Sequence, residues 1–127
     1  MILDSNIIIY AADPSHAFLR EFIRKHAPVA SIISYIEVVG YDKLSEEQKR
    51  YFEEFFDITL VLSISDAVAK KAIALRQQRK ISLGDSVIAA TAIVYGHTLV
   101  TRNTDDFKWI PELTLLNPFE PGVEGDS

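Results

Sequence analysis

Three acidic residues, far apart in the sequence, occupy positions where a ligand-binding crevice is expected. Asp4 directly follows a short apolar run, and Glu37 and Asp85 fall in the first turns of two predicted helices. Asn103 lies two residues beyond the predicted strand TLVT. Because the carboxyl ends of parallel strands share one edge of a sheet, we expect these four side chains to converge. Oxygen donors of this kind suit a hard divalent cation such as Mg²⁺ or Mn²⁺.

The three carboxylates have no basic partner within their own predicted elements. Along the chain, the nearest basic residue is Arg20 for Asp4, Lys43 for Glu37 and Lys80 for Asp85. The two helical acids share their predicted faces with apolar or small residues: Ile33, Gly40 and Tyr41 for Glu37, and Ile88, Ala89 and Ala92 for Asp85. Because an unpaired buried charge is costly, we expect either raised pKa values or a cation between the acids.

A purely structural role also explains each of these positions. Asp4 could cap the helix that follows it, and the Ser34-x-x-Glu37 and Ser82-x-x-Asp85 patterns both resemble capping boxes. In a fold of alternating strands and helices, such caps fall on the same edge of the sheet as a ligand site would. Convergence alone therefore leaves both interpretations open.

The elements that would position these residues are short β-branched strands alternating with helices. Strands are predicted over 1–3, 29–33, 58–63, 98–101 and 113–116. Helices are predicted over 5–13, 15–26, 34–44, 45–56, 65–80 and 82–96, with a helical turn over 103–110. This alternation predicts an α/β fold with a mainly parallel sheet covered on both faces.

Composition limits the classes of function. The 127 residues, 48% of them hydrophobic, predict one domain over 1–118, followed by a flexible acidic tail over 119–127. Cysteine is absent, which excludes disulfides, thiolate metal sites and cysteine nucleophiles. No apolar run is long enough to span a membrane, and no basic segment precedes the apolar start, so we expect a cytoplasmic protein. The net charge of −5 argues against a uniformly basic nucleic-acid-binding surface, but not against a local basic patch.

Five segments occur in an order that resembles a known family. They are LDSN, SIISYIEVVG, SLGDSVIAATA, LVTRNTDDF and LNPF, which together extend over residues 3–119. With them the chain resembles the PIN-domain ribonucleases, and in particular the VapC-type toxins of VapBC toxin–antitoxin pairs. The resemblance implies a three-layer α/β/α PIN-like fold, a homodimer, and Mg²⁺- or Mn²⁺-dependent hydrolysis of structured RNA such as tRNA or rRNA. It also implies a VapB-type antitoxin as partner.

The resemblance assigns the family's catalytic acids to residues of this chain. Its first three acids correspond to Asp4, Glu37 and Asp85, of which Asp4 and Asp85 are expected to bind the metal directly. Glu37 would complete the metal shell or orient the attacking water. Many members carry an aspartate where this chain has Asn103, whereas others use an acid just before the phenylalanine, which here is Asp106. We therefore take Asp106 as the fourth catalytic candidate.

Supporting roles are assigned in the same way. Ser5, Asn6, Thr101 and Asn103 are expected to hold the acids in place. Candidates for RNA binding are Arg102, which adjoins the site in sequence, and the basic residues Arg76, Arg79 and Lys80. For the last three, favourable cations at a helix C-terminus are an equally good explanation.

Two other functions remain open. A receiver-type phosphoacceptor domain has a similar length and carboxylate site, but it needs adjacent acids after the first strand and a lysine after the last. Here LDSN holds one acid and LTLLNPF holds no lysine. A catalytically weak PIN-fold module that binds RNA or a partner is the second alternative, because Asn103 replaces an acid.

Overall fold

The computed structural model describes residues 1–121. The strands are β1 (Ile2–Leu3), β2 (Ala30–Ser31), β3 (Val61–Leu62), β4 (Leu99–Val100) and β5 (Leu115–Leu116). The helices are α1 (Ser5–Ala11), α2 (Ala17–His26), α3 (Ile32–Val39), α4 (Glu46–Ile58), α5 (Asp66–Gln78) and α6 (Leu83–Tyr95). Short 3-10 helices cover Pro14–His16 and Thr104–Asp106. The predicted alternation of strands and helices is confirmed.

The strands pair in parallel throughout the described chain. β4 lies between β1 and β5, β2 pairs with β3, and a parallel bridge between Ile2 and Val29 joins the two groups. The resulting spatial order is β3-β2-β1-β4-β5. The chain leaves β1 toward β2 and β3 and returns to the other side of β1 for β4. This reversal creates a topological switch point between β1 and β4, where ligand crevices of open α/β sheets lie.

Two apolar cores lie on opposite faces of the sheet. Ile2 and Leu99 belong to one core, and their chain neighbours Leu3 and Val100 belong to the other. The division follows from the strand geometry, because successive side chains of a strand point to opposite faces. Helices α5 and α6 contribute Val68, Leu75 and Ile88 to the first core, and α1, α2 and α4 contribute Ile7, Phe22 and Phe52 to the second. The predicted three-layer α/β/α arrangement is confirmed.

Several predicted element boundaries are wrong, and the largest difference is the end of α3, which lies at Val39 rather than at residue 44. Helix α3 begins at Ile32, because β2 ends after two residues and the Ser31 hydroxyl then accepts a hydrogen bond from the Ile33 N–H (3.1 Å). Ser34 therefore lies inside the helix and is buried, so the Ser34–Glu37 capping box does not form. Strand β3 starts at Val61 rather than residue 58, because α4 continues to Ile58.

Other helix ends follow the sequence signals closely. Ser45 and Gln48 form a capping box at the start of α4, and the Ser82 hydroxyl caps α6. Gly96 ends α6 with a φ of 70°, a left-handed conformation that glycine adopts without steric cost. No helix within residues 1–121 is both long and apolar enough to cross a membrane.

Ordered packing continues beyond the predicted end of the domain at residue 118. The Phe119 ring contacts Tyr10 and Phe18 edge-to-face, at centroid distances of 5.5 and 5.1 Å. Most of the predicted tail, residues 122–127, lies outside the described residues, so its flexibility stays a prediction.

Candidate metal centre

Asp4 is a buried carboxylate at the switch point of the sheet. It follows β1 directly, and only 3% of the residue is exposed. The Thr101 hydroxyl, at the end of β4, donates a hydrogen bond to Asp4 Oδ2 (2.8 Å) and accepts one from the Asn103 N–H (3.0 Å). Asp4 occupies the N-cap position of α1, where its carboxyl group interacts with the Ser5 backbone but makes no standard side-chain capping hydrogen bond.

The electrostatic surroundings of Asp4 disfavour its ionised form. Burial raises its pKa to about 6, the hydrogen bond from Thr101 partly opposes that rise, and the charges of Asp85 and Glu37 add to it. The acids are therefore close enough to interact. Their predicted convergence takes place at the expected edge.

Asp85 interacts with three other acids. It lies in the first turn of α6, half-buried, with its backbone N–H donated to the Ser82 hydroxyl (3.1 Å). Burial raises its pKa, and the charges of Asp106 and Glu37 raise it further. Asp85 thus occupies a central position between Asp4 and the exposed Asp106.

Glu37 is held from two sides although the residue is exposed. The prediction that it faces apolar surroundings is wrong, because its carboxylate turns toward α1 and α6. The Ser5 hydroxyl donates a hydrogen bond to Glu37 Oε1 (2.9 Å), and the Ser5 and Ser34 hydroxyl oxygens lie 2.8 Å apart. An ionised carboxylate only accepts, so the single Ser5 proton goes to Glu37 and Ser34 donates to Ser5.

Gly84 supplies the second contact to Glu37, and the sequence interpretation missed it. A Cβ atom built on Gly84 would lie 2.5 Å from Glu37 Oε2. The carboxylate therefore rests directly on the backbone of α6, one residue before Asp85. A glycine in the first turn of a helix is unfavourable without such a reason, and that unfavourable placement was the available signal.

Asp4, Glu37 and Asp85 form no ion pair with a basic residue in the described part of the chain. The ion pairs seen among residues 1–121 use other acids, namely Glu21, Asp66, Asp105 and Glu112. A buried carboxylate beside two further carboxylates, without a lysine or arginine, fits a site for a divalent cation.

The spacing of the acids limits how such a cation would be held. Within the described part of the chain, no three Asp, Glu, His or Cys side chains form a metal-binding group by themselves. Mg²⁺ usually keeps several waters and uses one or two protein carboxylates. A hydrated ion of this kind needs only two protein carboxylates, and the assignment of Asp4 and Asp85 as that pair stays a prediction.

The remaining supporting candidates differ in their contacts. Ser5 and Thr101 each contact an acid directly, as predicted. Asn103 reaches the site through its backbone N–H, and Asn6 is exposed on α1. Neither asparagine side chain forms a hydrogen bond with another residue of the described chain.

The basic candidates fall into different environments. The Arg102 guanidinium lies over the rings of Phe119 and Tyr10, 4.1 and 5.2 Å from their centroids. Arg76 donates a hydrogen bond to the Ile81 carbonyl (3.1 Å), which braces the loop between α5 and α6. Arg79 and Lys80 are exposed and line a cavity that includes Asp85.

Comparison with known proteins identifies the fold and its family. The PIN domain family matches residues 1–113. The chain therefore belongs to the PIN-domain family, as the resemblance predicted. The phosphoacceptor alternative is thereby set aside.

Individual relatives show which members of the PIN-domain family this chain is similar to. Ribonuclease VapC1 of Rickettsia felis is 30% identical over 91% of this chain and 94% of its own length. Ribonuclease VapC of Rickettsia bellii is 38% identical over 62% of this chain, a match that spans 66% of that relative. A solved structure of VapBC2 from Rickettsia felis, bound to a DNA fragment from its promoter, has a similar fold. One of its chains matches this protein with a TM-score of 0.80 and 26% identity, and the match covers 91% of this chain and 96% of that chain. The predicted similarity to VapC proteins is confirmed.

Proposed function

We propose that this chain is a Mg²⁺- or Mn²⁺-dependent endoribonuclease and the toxin of a VapBC pair. The observation that carries the proposal is the buried Asp4 carboxylate, held by Thr101 and close to Asp85 and Glu37, without a basic partner. The names of the VapC relatives support RNA as substrate. We expect the substrate to be a structured RNA such as tRNA or rRNA, and the site of action to be the cytoplasm.

Each acid has a distinct task in the proposed hydrolysis. A bound divalent ion would lower the pKa of a water molecule and neutralise charge on the scissile phosphate. Asp4 and Asp85 would hold the ion, and the Thr101 hydrogen bond to Oδ2 fixes the orientation of the Asp4 carboxylate. Glu37, oriented by Ser5, accepts a hydrogen bond from the attacking water. Asp106, at the exposed rim, is the fourth acid in place of Asn103.

The test is RNA cleavage by the purified protein. Wild type should cleave RNA with Mg²⁺ or Mn²⁺ and stop in EDTA, and Asp4→Asn should lose about 100-fold or more in rate. Asp66→Asn is the matched control, because Asp66 is an exposed acid paired with Lys70 (2.9 Å) on α5. An Asp4→Asn variant that cleaves at the wild-type rate would contradict the assignment. Absence of cleavage in all proteins would favour the binding-module alternative that Asn103 suggests.

The partner proposals need separate tests. Exposed apolar side chains support a homodimer. They lie on α3, just after α3 and at the start of α6, and they are Tyr35, Ile36, Tyr41 and Leu83. Sedimentation equilibrium should then give twice the monomer mass.

An adjacent gene should encode the VapB-type antitoxin, and its co-expression should relieve growth arrest caused by wild type. Growth arrest that persists in its presence would contradict the pairing.

A further inference from the structure

A cavity beside Asp85 combines acidic and basic side chains. Its volume is about 310 Å³, which is large enough for a nucleotide-sized group. The end of α5, the loop before α6 and the segment around Asp106 line it, and the charged or aromatic members are Arg79, Lys80, Asp85, Asp105, Asp106 and Trp109. The cavity therefore extends directly from the proposed metal centre.

The positive charges of this cavity are not paired with its acids. Asp105 forms its ion pair with Lys108 (2.8 Å) rather than with either basic residue of the cavity. Among residues 1–121, neither Arg79 nor Lys80 takes part in an ion pair with N···O within 4 Å. Both cations therefore remain available to an anion that enters beside Asp85.

Trp109 holds Arg79 in place. The Arg79 guanidinium carbon lies 5.2 Å from the centroid of the Trp109 ring, a cation–π geometry. The ring itself is half-buried against the core of α5 and α6, and its Nε1–H donates to the Asp106 carbonyl (3.0 Å). The position of Arg79 is thus tied to the segment that carries Asp106.

The helix-dipole explanation fits Arg79 poorly. Arg79 follows the last residue of α5 in an extended conformation, with φ −164° and ψ 167°. Its guanidinium stacks on Trp109, whereas Arg76 is the residue that bonds a loop carbonyl. Arg102 also stacks on aromatic rings, but it does not line this cavity.

We propose that Arg79, held by Trp109, binds an RNA backbone phosphate next to the scissile phosphate, with Lys80 as a second cation at the same cavity. Trp109 is a positioning residue in this arrangement. The inference rests on the proposed ribonuclease function and names the part of the site that holds the flanking nucleotide. Such a phosphate contact contributes affinity independently of sequence, because it does not touch a base.

The experiment measures RNA binding without catalysis. A short fluorescein-labelled RNA hairpin is titrated with the protein in EDTA, by fluorescence anisotropy, over about 50 to 200 mM salt. Arg79→Ala should lower affinity about tenfold and reduce the slope of log K against log salt by about 1. Lys70→Ala is the matched control, because Lys70 lies on α5, paired with Asp66 (2.9 Å), and should leave the slope unchanged.

Substitution of Trp109 separates positioning from charge. Trp109→Ala should weaken binding about threefold with an unchanged salt slope, since no charge is lost. Trp109→Phe keeps an aromatic face for Arg79 and should restore most of the affinity. An unchanged slope in Arg79→Ala would overturn the phosphate site alone. Failure of wild type to cleave any RNA with Mg²⁺ or Mn²⁺ would overturn the proposed function, and the phosphate site with it.

Discussion

Asp4 and Glu37 belong to the same site but are fixed in opposite ways. Asp4 is buried at the edge of the sheet, where one hydroxyl holds it and burial raises its pKa to about 6. Glu37 is exposed, and it is held by Ser5 on one side and by the bare backbone of Gly84 on the other. The end of the sheet thus holds the Asp4 carboxylate in a buried position, which lowers the stability of the fold. The helices hold the Glu37 carboxylate in an exposed position, which costs the fold little stability.

The largest expected effect is on the stability of the metal-free protein. Because the pKa of Asp4 rises from 3.8 to about 6 on folding, the folded state binds more protons than the unfolded state between these values. Stability should therefore fall as pH rises from about 4 to about 6, by about 3 kcal/mol from this residue, and remain lower above that. Asp4→Asn should abolish this loss of stability with rising pH. In EDTA at pH 7 the variant should therefore be more stable than wild type.

Urea unfolding at pH 5 and pH 7 checks this prediction. The stability difference between Asp4→Asn and wild type should grow with pH, and Mn²⁺ should stabilise wild type only. Asp105→Asn should show a stability difference from wild type that is the same at pH 5 and pH 7, because Lys108 lowers the pKa of Asp105 below its ordinary value of 3.8 and that contribution is lost only at more acidic pH. Glu37→Gln should change little, since Glu37 is exposed. A pH-independent difference for Asp4→Asn would contradict the contrast between the two acids.

An intermediate effect is expected at Gly84. Gly84→Ala places a methyl group 2.5 Å from Glu37 Oε2, so the carboxylate must move, and the cleavage rate should fall about tenfold. The fold should be unaffected or gain up to about 1 kcal/mol, because alanine favours a helix over glycine. Activity and stability would then change in opposite directions.

A double-substitution cycle decides whether Gly84 acts through Glu37. In a Glu37→Ala background the added methyl group meets no carboxylate, so Gly84→Ala should have no further effect on the rate. Fully additive losses would show that Gly84 acts elsewhere, for example through Asp85.

The same contrast explains what the sequence could predict. The convergence of Asp4, Glu37 and Asp85 followed from strand and helix order, because parallel strands end at one edge. That Thr101 would hold an acid was implied by the family resemblance, and the hydrogen bond from its hydroxyl to Asp4 shows which acid it contacts. The contact between Glu37 and Gly84 depends on how closely α3 approaches α6, and no periodicity encodes that distance. The start of α3 was misplaced because two serines, Ser31 and Ser34, offered equally good caps.

The smallest expected effect tests the hydroxyl that holds Asp4. Thr101→Val keeps the shape but removes the hydrogen bond to Oδ2, which opposes the rise in the Asp4 pKa, so that pKa should move further above 6. Since the carboxylate binds a cation only when ionised, Mn²⁺ affinity measured by calorimetry near pH 6 should fall about threefold and recover partly at pH 8. Thr101→Ser should bind like wild type. Ser5→Ala, which removes the equivalent hydroxyl from the exposed Glu37, should leave the pH dependence unchanged, because the Thr101 hydrogen bond to Asp4, one of the two expected Mn²⁺ ligands, is kept. If Ser5→Ala shifted the pH dependence as much as Thr101→Val, the two acids would not differ in the way that their burial implies.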